Sequence, residues 1–560
     1  MLYNSVETRG GRYKPAQATH QSYTMPASVG GINALSSVTE MAPTDCITCH
    51  NLVPSEYGMR LRKGYREWAN GLPSSTNTLI AFEGQTNQAA SRRLWAVCAE
   101  GIYDVTTYGE TSPVQVVPDV GGADVGPAWT NLTGGAGYGN WTEMGNDAGN
   151  RYLFYADNEN GIFRYDENLD IWEVPLFQSG DPLEDDVLAA DIAYVMVWKQ
   201  RLWMVERDSG DAWYLEPGAI QGAATSFNFG TKLQHGGELK ALFNWTVDGG
   251  DGVDDILVAI GHGGDILGYS GLDPATVETF SLVASYYIGE FPASRNVGIE
   301  YGGELYLLST YGVISVRQLL QGVLYEDPSK EPSAKINRFL RDAVNAGRES
   351  YVWSMEMYPR DGFFQIIAPF EVSNRNNAIQ YVQNTITQAW GLWADVPINC
   401  AATWNNLYMM GTPDGRVIEY YGGVDDTRLS GSEPLGVAIN YDVLTSFQPP
   451  GGDPTSYKRV GFIRPIQVST NNVNTNVRAV YDYVIGAEIA PPPGAGQSNV
   501  SAWDAALWDV GKWDYVPEGN DFIRGTMGQG RVVAVAMRGS STERLTFVGW
   551  DIDYTMGGFL

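Results

Sequence analysis

Cysteine and histidine are scarce in this chain, with four of each in 560 residues. Cys46, Cys49, Cys98 and Cys400 are too few to staple a chain of this length, which points to a reducing compartment during synthesis. His20, His50, His235 and His262 offer little material for a His-based triad. No G-x-S-x-G, H-E-x-x-H or G-x-x-x-x-G-K-[ST] occurs. Positive charge is also short: Lys+Arg 36 against Asp+Glu 65 gives a net charge of -29. Such a field repels phosphate and disfavours tight, charge-driven nucleic-acid binding, while leaving room for DNA to pass an acidic wall transiently. No stretch approaches the roughly 18 apolar residues of a membrane span, and residues 1–20 contain no apolar signal core.

What is plentiful is Gly (65), aromatics (12%) and hydrophobic residues (44%), with charged residues at only 18%. Trp, Tyr and Val suit pleated surfaces and Gly suits tight turns, so the composition predicts many short strands. The length exceeds one hydrophobic core and calls for several domains or a repeat architecture.

A repeat is present. An apolar strand, a turn and a second apolar strand recur as LWAVCAEGIYDV from Leu94, LFYADNENGIFRYD from Leu153 and LWMVERDSGDAWYLE from Leu202. The theme continues as ILVAIGHGGDILGYS from Ile256, LYLLSTYGVISV from Leu305, FFQIIAPFEVSNRNNAIQYV from Phe363 and LYMMGTPDGRVIEYY from Leu407. The spacings are 59, 49, 54, 49, 58 and 44 residues. Upstream strands ending in Trp198, Tyr301, Trp404 and Trp245 precede four of these hairpins, and YDENLDIWEVP and NTITQAWGLWADVP read as outer strands. Three to four strands per unit, repeated about seven times, predict an all-β chain built on a β-propeller of six to eight blades over 81–430.

The flanks differ. Residues 1–80 read as an N-terminal arm and interface segment, polar up to about residue 44 and expected to order only against a neighbour. Residues 431–560 alternate as antiparallel strands and predict a sandwich-like domain. SAKINRFLRDAVNAG, 333–347, reads as an inserted amphipathic helix with Ser333 as N-cap and Gly347 beyond its end. Ile336, Phe339, Leu340, Ala343 and Val344 share its apolar face, which lies either on the propeller or at a subunit contact.

Three motifs hint at chemistry. DCITCH, Asp45 to His50, spells a c-type haem signature, but export is unsupported and a second axial ligand lacks an obvious source. A zinc site on Cys46, Cys49 and His50 would want a fourth neighbour, so coincidence is the better reading and no metal or cofactor is expected. DGGDGVDD could wrap calcium through Asp248, Asp251, Asp254 and Asp255, though it lacks EF-hand spacing and reads more simply as a solvated loop. Trp503, Trp508 and Trp513 repeat at intervals of five and suit a core or interface better than a sugar platform.

The densest basic cluster follows DCITCH: Arg60, Arg62, Lys63 and Arg66, with Tyr65 among them. It is either a solvated strand face or a salt-bridging interface. Here NLVPSEYGMRLRKGYREW resembles the N-terminal signature of tail nozzle (tail tubular B-type) proteins of short-tailed bacteriophages. In that signature an Asn-aromatic-x-Pro precedes an Arg-x-Arg-x-Gly-Tyr strand. Asn51, Pro54, Arg60, Arg62, Gly64 and Tyr65 match, with Leu52 in place of the aromatic. RLWAVCAEGIYDVTTYG and AWDAALWDVGKWD also resemble that family. The resemblance implies a non-catalytic virion protein, made in the host cytoplasm and assembled as a hexameric ring below the portal and adaptor. Genomic double-stranded DNA would pass its lumen, and adaptor, tail fibre or needle proteins would be its partners. The alternatives are a tail hub or fibre-attachment protein, or a propeller lectin or hydrolase with a ligand in its central channel.

Overall fold

A computed structural model describes residues 20–557 apart from 85–90, 120–128, 130–132, 147–148, 181–185, 249–252, 277–278, 321–329, 371–377, 427–435, 470–472, 474, 486–517 and 521–522. Nearly every regular element among the described residues is a strand, so the chain is all-β. Each of the seven hairpins expected from the repeat forms, and each lies inside a larger antiparallel meander.

The first meander runs Thr78–Phe82, Arg93–Cys98, Gly101–Asp104 and Val114–Val116. The second runs Gly139–Gly145, Arg151–Asp157, Gly161–Asp166 and Ile171–Glu173. The third comprises Ile192–Trp198, Arg201–Glu206, Asp211–Leu215 and Gly222–Asn228, with Phe177–Ser179 laid parallel on its outer edge. The fourth comprises Leu239–Asp248, Val253–Gly261, Asp265–Gly271 and Phe280–Tyr287. The fifth has three strands, Gly298–Tyr301, Glu304–Ser309 and Gly312–Ser315. The sixth runs Ser354–Tyr358, Phe363–Ile367, Ile379–Asn384 and Trp390–Ala394. The seventh takes Cys400–Trp404, Leu407–Gly411 and Val417–Tyr420, and its fourth strand is Tyr65–Ala69 from the other end of the chain.

Two-residue turns join three of the aromatic-ended strands to the hairpins that follow them. Lys199-Gln200, Gly302-Gly303 and Asn405-Asn406 all have positive φ, the backbone of a type I′ hairpin whose twist matches the strands it joins. They place Trp198 opposite Arg201, Tyr301 opposite Glu304 and Trp404 opposite Leu407.

The first strand of each meander touches the first strand of the next, and the seventh returns to the first. Side chains alternate across each strand, so each meander packs on both neighbours. Ile80 and Phe82 join Tyr155, Phe163 and Tyr165 of the second meander, while Leu79 and Ala81 join Cys400, Trp404 and Met409 of the seventh. Burial on both faces explains why the strands read as continuous apolar runs. Aromatic edges fix these slabs, as where Trp95 meets Tyr165 at 4.7 Å and Trp172 at 5.1 Å.

Two further sheets form the C-terminal part. One pairs Lys458–Ser469 with Leu545–Met556 and adds Gly58–Leu61, Leu52–Ser55, His20–Pro26, Arg524–Gly525 and Glu518–Asn520. The other runs Asp45–His50, Gly436–Thr445, Val533–Ser541 and Thr475–Tyr481, and it is continuous with the sixth meander through His50 beside Leu392 and with the seventh through Val424–Asp426, which pairs with both Gly436–Thr445 and Tyr65. Val443, Val535 and Met537 of one share a core with Phe547, Trp550 and Ile552 of the other.

Two expectations are corrected. From residue 20 the N-terminal segment does not wait for a neighbour: His20–Pro26 pairs residue for residue with Pro26↔Gly549 to His20↔Thr555 of the same chain. Its alternating polar residues have partners there, Thr24 Oγ1 donating to Asp551 at 2.6 Å and Tyr554 Oη to Gln21 at 2.8 Å. The inserted helix is shorter than its sequence suggested, Asn337–Ala346, and Ser333 does not cap it. Ser333 Oγ instead accepts from Val313 N at 2.8 Å, occupying the edge where the fifth meander has no fourth strand among the described residues. Ile336, Leu340 and Val344 are buried as expected, but Phe339 is 42% exposed.

Candidate functional site at the junction of the ring and the C-terminal sheets

The segment 45–69 is the seam of the molecule. Asp45–His50 lies in the second C-terminal sheet, Leu52–Leu61 folds as a hairpin onto the first, and Tyr65–Ala69 completes the seventh meander. A register shift between Cys46 and Thr48 lets both Cys46 and Cys49 face the core, where strict alternation would have split them. Both are fully buried, Cys49 Sγ donates to Leu52 O at 3.0 Å, and burial pushes the Cys46 thiol well up. All four cysteines are free, and among the described residues no group of three or more His, Cys, Asp or Glu converges as a metal site.

Asn51 turns the chain with φ 58, a left-handed conformation that Asn tolerates better than most residues. Its amide then knits four segments together. Nδ2 donates to Asn440 O at 2.7 Å, while Oδ1 accepts from Ala394 N at 2.8 Å and from Arg62 Nε at 2.8 Å. Arg62 is 3% exposed and grips Asp425 through both terminal nitrogens, at 2.8 and 2.6 Å. That fork geometry is the strong form of the Arg–carboxylate pair. Asp425 pairs in register with Tyr65, whose hydroxyl is pushed well up by burial and then by that carboxylate. Gly64 passes so close to the Val424 carbonyl that a Cβ would overlap it.

The basic cluster is therefore spent largely inside the chain. Lys63 Nζ meets Asp361 at 2.5 Å, and Arg66 meets Glu419 at 2.7 Å while stacking over Tyr421 at 4.0 Å. Arg62 and Tyr65 are buried and unavailable to another molecule, which corrects the interface reading for those two. Among these five, Arg60 alone is exposed, and it makes no ion pair among the described residues. Asp425 was missed because nothing local in VDDTRLS marks it. Its signal would have been the demand that a buried guanidinium find a carboxylate.

The calcium reading finds no single loop. Asp248 ends one strand and pairs with Val253, so Asp254 and Asp255 lie within the next strand of a hairpin. Asp255 accepts from Thr246 Oγ1 at 2.9 Å, and Asp251 lies outside the described residues. Trp503, Trp508 and Trp513 lie outside them as well.

Contacts also cross the ring of first strands. Asn296, ahead of the fifth meander, donates from Nδ2 to Gly139 O of the second at 2.8 Å. Arg295 Nε donates to Asn158 Oδ1 at 3.0 Å, and Tyr138 stacks on Tyr351 with centroids 6.1 Å apart. Nearby, Lys240 is buried and donates to Ala293 O at 2.8 Å; burial, helped by Arg295, pushes its pKa down to about 7. On the first strand of the sixth meander, burial pushes Glu356 up to about 8. Asn296 and Arg295 thus tie the segment ahead of the fifth meander to the second, Tyr351 ties the segment ahead of the sixth to it, and among the described residues these side chains set no nucleophile beside a base. No local sequence pattern marks them.

No family model matches this chain, and no curated protein matches it. Among solved structures, the computationally designed Ika8 protein is similar at a TM-score of 0.34 and 11% identity, over 64% of this chain and 99% of that one.

Proposed function

We propose that the seven meanders are the blades of a β-propeller and that the chain is a structural virion protein. In this reading it is the nozzle of a short phage tail, a hexameric ring below the adaptor through which DNA is ejected. The clasp formed by Asn51, Arg62 and Asp425 carries the reading. The residues that match the nozzle signature, Asn51, Arg62, Gly64 and Tyr65, are spent on joining the ring to the C-terminal sheets rather than on chemistry. A last blade whose outer strand comes from residues 65–69 cannot open without peeling off the N-terminal seam, which suits a part under mechanical load. The net charge of -29 suits a lumen wall that DNA must not adhere to. Adaptor, fibre or needle proteins are the proposed partners, and the virion is the proposed location.

The contacts that cross the ring, Asn296 to Gly139 and Tyr138 to Tyr351, occupy space that a lectin or hydrolase would give to its ligand. They favour the structural reading over that alternative. Negative-stain imaging with mass measurement of the purified chain tests it. A closed hexameric ring is expected; a monomer that takes up a glycan at the ring centre would overturn it.

A further inference from the structure

Outer strands of the meanders are mostly short or covered. Val114–Val116 and Ile171–Glu173 have three residues each, Phe177–Ser179 covers part of the third meander's edge, and Ser333 covers Val313 in the fifth. Phe280–Tyr287 is different. It is eight residues long, reads FSLVASYY without one charge, and pairs only with Asp265–Gly271. Its other edge has no strand against it among the described residues. Val283 is 55% exposed and Tyr287 47%, with Leu272 at 73% just upstream. Natural sheets blunt such edges with charge, Pro or brevity, because a long neutral edge is a template for another strand.

A cleft of about 380 Å³ opens at the Tyr287 end of this strand. Tyr287, Ile288, Ile314 and Leu319 give it apolar walls, and Tyr311 and Arg341 line it as well. Tyr287 is held in place by His235, stacked at 3.8 Å, whose Nδ1 lies 2.7 Å from Asp265. Arg341 lies over the Tyr311 ring at 4.2 Å with Nε donating to Tyr311 O at 2.6 Å. It forms no ion pair among the described residues, and Glu331, near enough to feel its charge, is held by Asn337 Nδ2 at 2.5 Å. A cation at the rim of an apolar cleft is complementary to a carboxylate beside an apolar group.

We propose that Phe280–Tyr287 and this cleft form one docking site for an extended segment of a partner polypeptide. The segment adds a strand to the free edge, seats an apolar side chain between Tyr287 and Leu319, and places a neighbouring carboxylate on Arg341. Backbone pairing supplies affinity and the cleft supplies selectivity. The site is independent of the ring stoichiometry and of the nozzle assignment.

The probe is a fluorescein-labelled peptide of alternating Thr and Val, about eight residues long to match a typical strand, ending in Leu-Asp. A control peptide carries Pro at its centre and cannot complete a ladder. Anisotropy with the full chain should show saturable binding of the first peptide alone, weakened about tenfold or more by Arg341→Met or Val283→Lys. Amide exchange on the unmodified chain should show slowing within 280–287 when the peptide is added, a readout that does not depend on either variant folding. No saturable binding, equal binding of the Pro peptide, insensitivity to both variants, or protection confined elsewhere would each overturn the proposal.

Discussion

Removing one side of the Arg62–Asp425 pair should destabilise the chain more than any other single charge deletion in the seam. In the Arg62→Met variant the methylene stem is kept and the charge is lost. Asp425, whose side chain is 9% exposed, is then left without its counter-ion, and Asn51 Oδ1 loses one of two donors. Breaking a buried pair from one side costs about 3–5 kcal/mol, most of it the penalty of the stranded charge. The unfolding entropy near 60 °C is about 2.1 cal/mol/K per residue, or roughly 1.2 kcal/mol/K for 560 residues. If the chain melts as a unit, Tm falls by about 2.5–4 °C, and further if the seam belongs to a smaller cooperative unit. Asp425→Leu should cost a similar amount by stranding the guanidinium. The double variant should regain much of the loss, because two apolar side chains strand nothing. Calorimetry on the three variants at one pH reads the coupling directly. A Tm within 1 °C of the parent for Arg62→Met, or a double variant as damaged as the sum of the singles, would refute the clasp.

Two ionisable groups, Lys240 fully buried and Glu356 half-buried, give pH dependences of opposite sign. Lys240 titrates near 7 in the fold and near its ordinary value of about 10.4 when unfolded, so the unfolded chain holds more protons between those limits and stability from this group rises with pH. Relative to Lys240→Met, the parent's unfolding free energy from urea titration should therefore improve from pH 7 to 9.5, by an amount on the order of 2–3 kcal/mol. Glu356 titrates near 8 in the fold against about 4.3 unfolded, so its contribution is lost as pH rises through that window. The parent should fall behind Glu356→Gln between pH 5 and 8, and midpoints that move in parallel would contradict the burial of this carboxyl. A thiol reagent should find no fast-reacting cysteine in the folded chain and four after denaturation. The Cys46→Ala, Cys49→Ala double variant should assemble as the parent does, with no loss of metal or of a Soret band. Gly64→Ala should lower Tm through its clash with the Val424 carbonyl, in contrast to Gly109→Ala, where a Cβ meets nothing within 4 Å but the positive φ still strains it.

Much of the local structure was legible. The seven hairpins, the strands ending in Trp198, Tyr301 and Trp404, and the outer strands at Trp172 and Trp390 follow from short-range pattern, because a two-residue turn with positive φ and an apolar run on either side leave few alternatives, whereas Trp245 lies inside a strand that runs on to Asp248. The all-β class followed from the same cues. The helix was legible in kind but not at its start, since Ser333 had a choice between capping its own helix and covering a bare strand edge, and only the neighbouring meander decides that.

The basic cluster shows where sequence stopped. Arg60, Arg62, Lys63 and Arg66 look alike in a string, and charge density suggested a surface for another molecule. Their fates were set by residues far along the chain: Asp425 lies 363 positions from Arg62, and Asp361 lies 298 from Lys63. DCITCH changed meaning in the same way, because one register shift against residues 443–445 turned both thiols into the core. Turns and periodicity within about ten residues marked most of the strands in advance, though not His20–Pro26, whose alternating polar residues needed their distant partner strand to become one. The tertiary structure alone decided which strand edges and charges meet. Burial makes an unpaired charge so costly that distant partners must be found, and no local pattern encodes them.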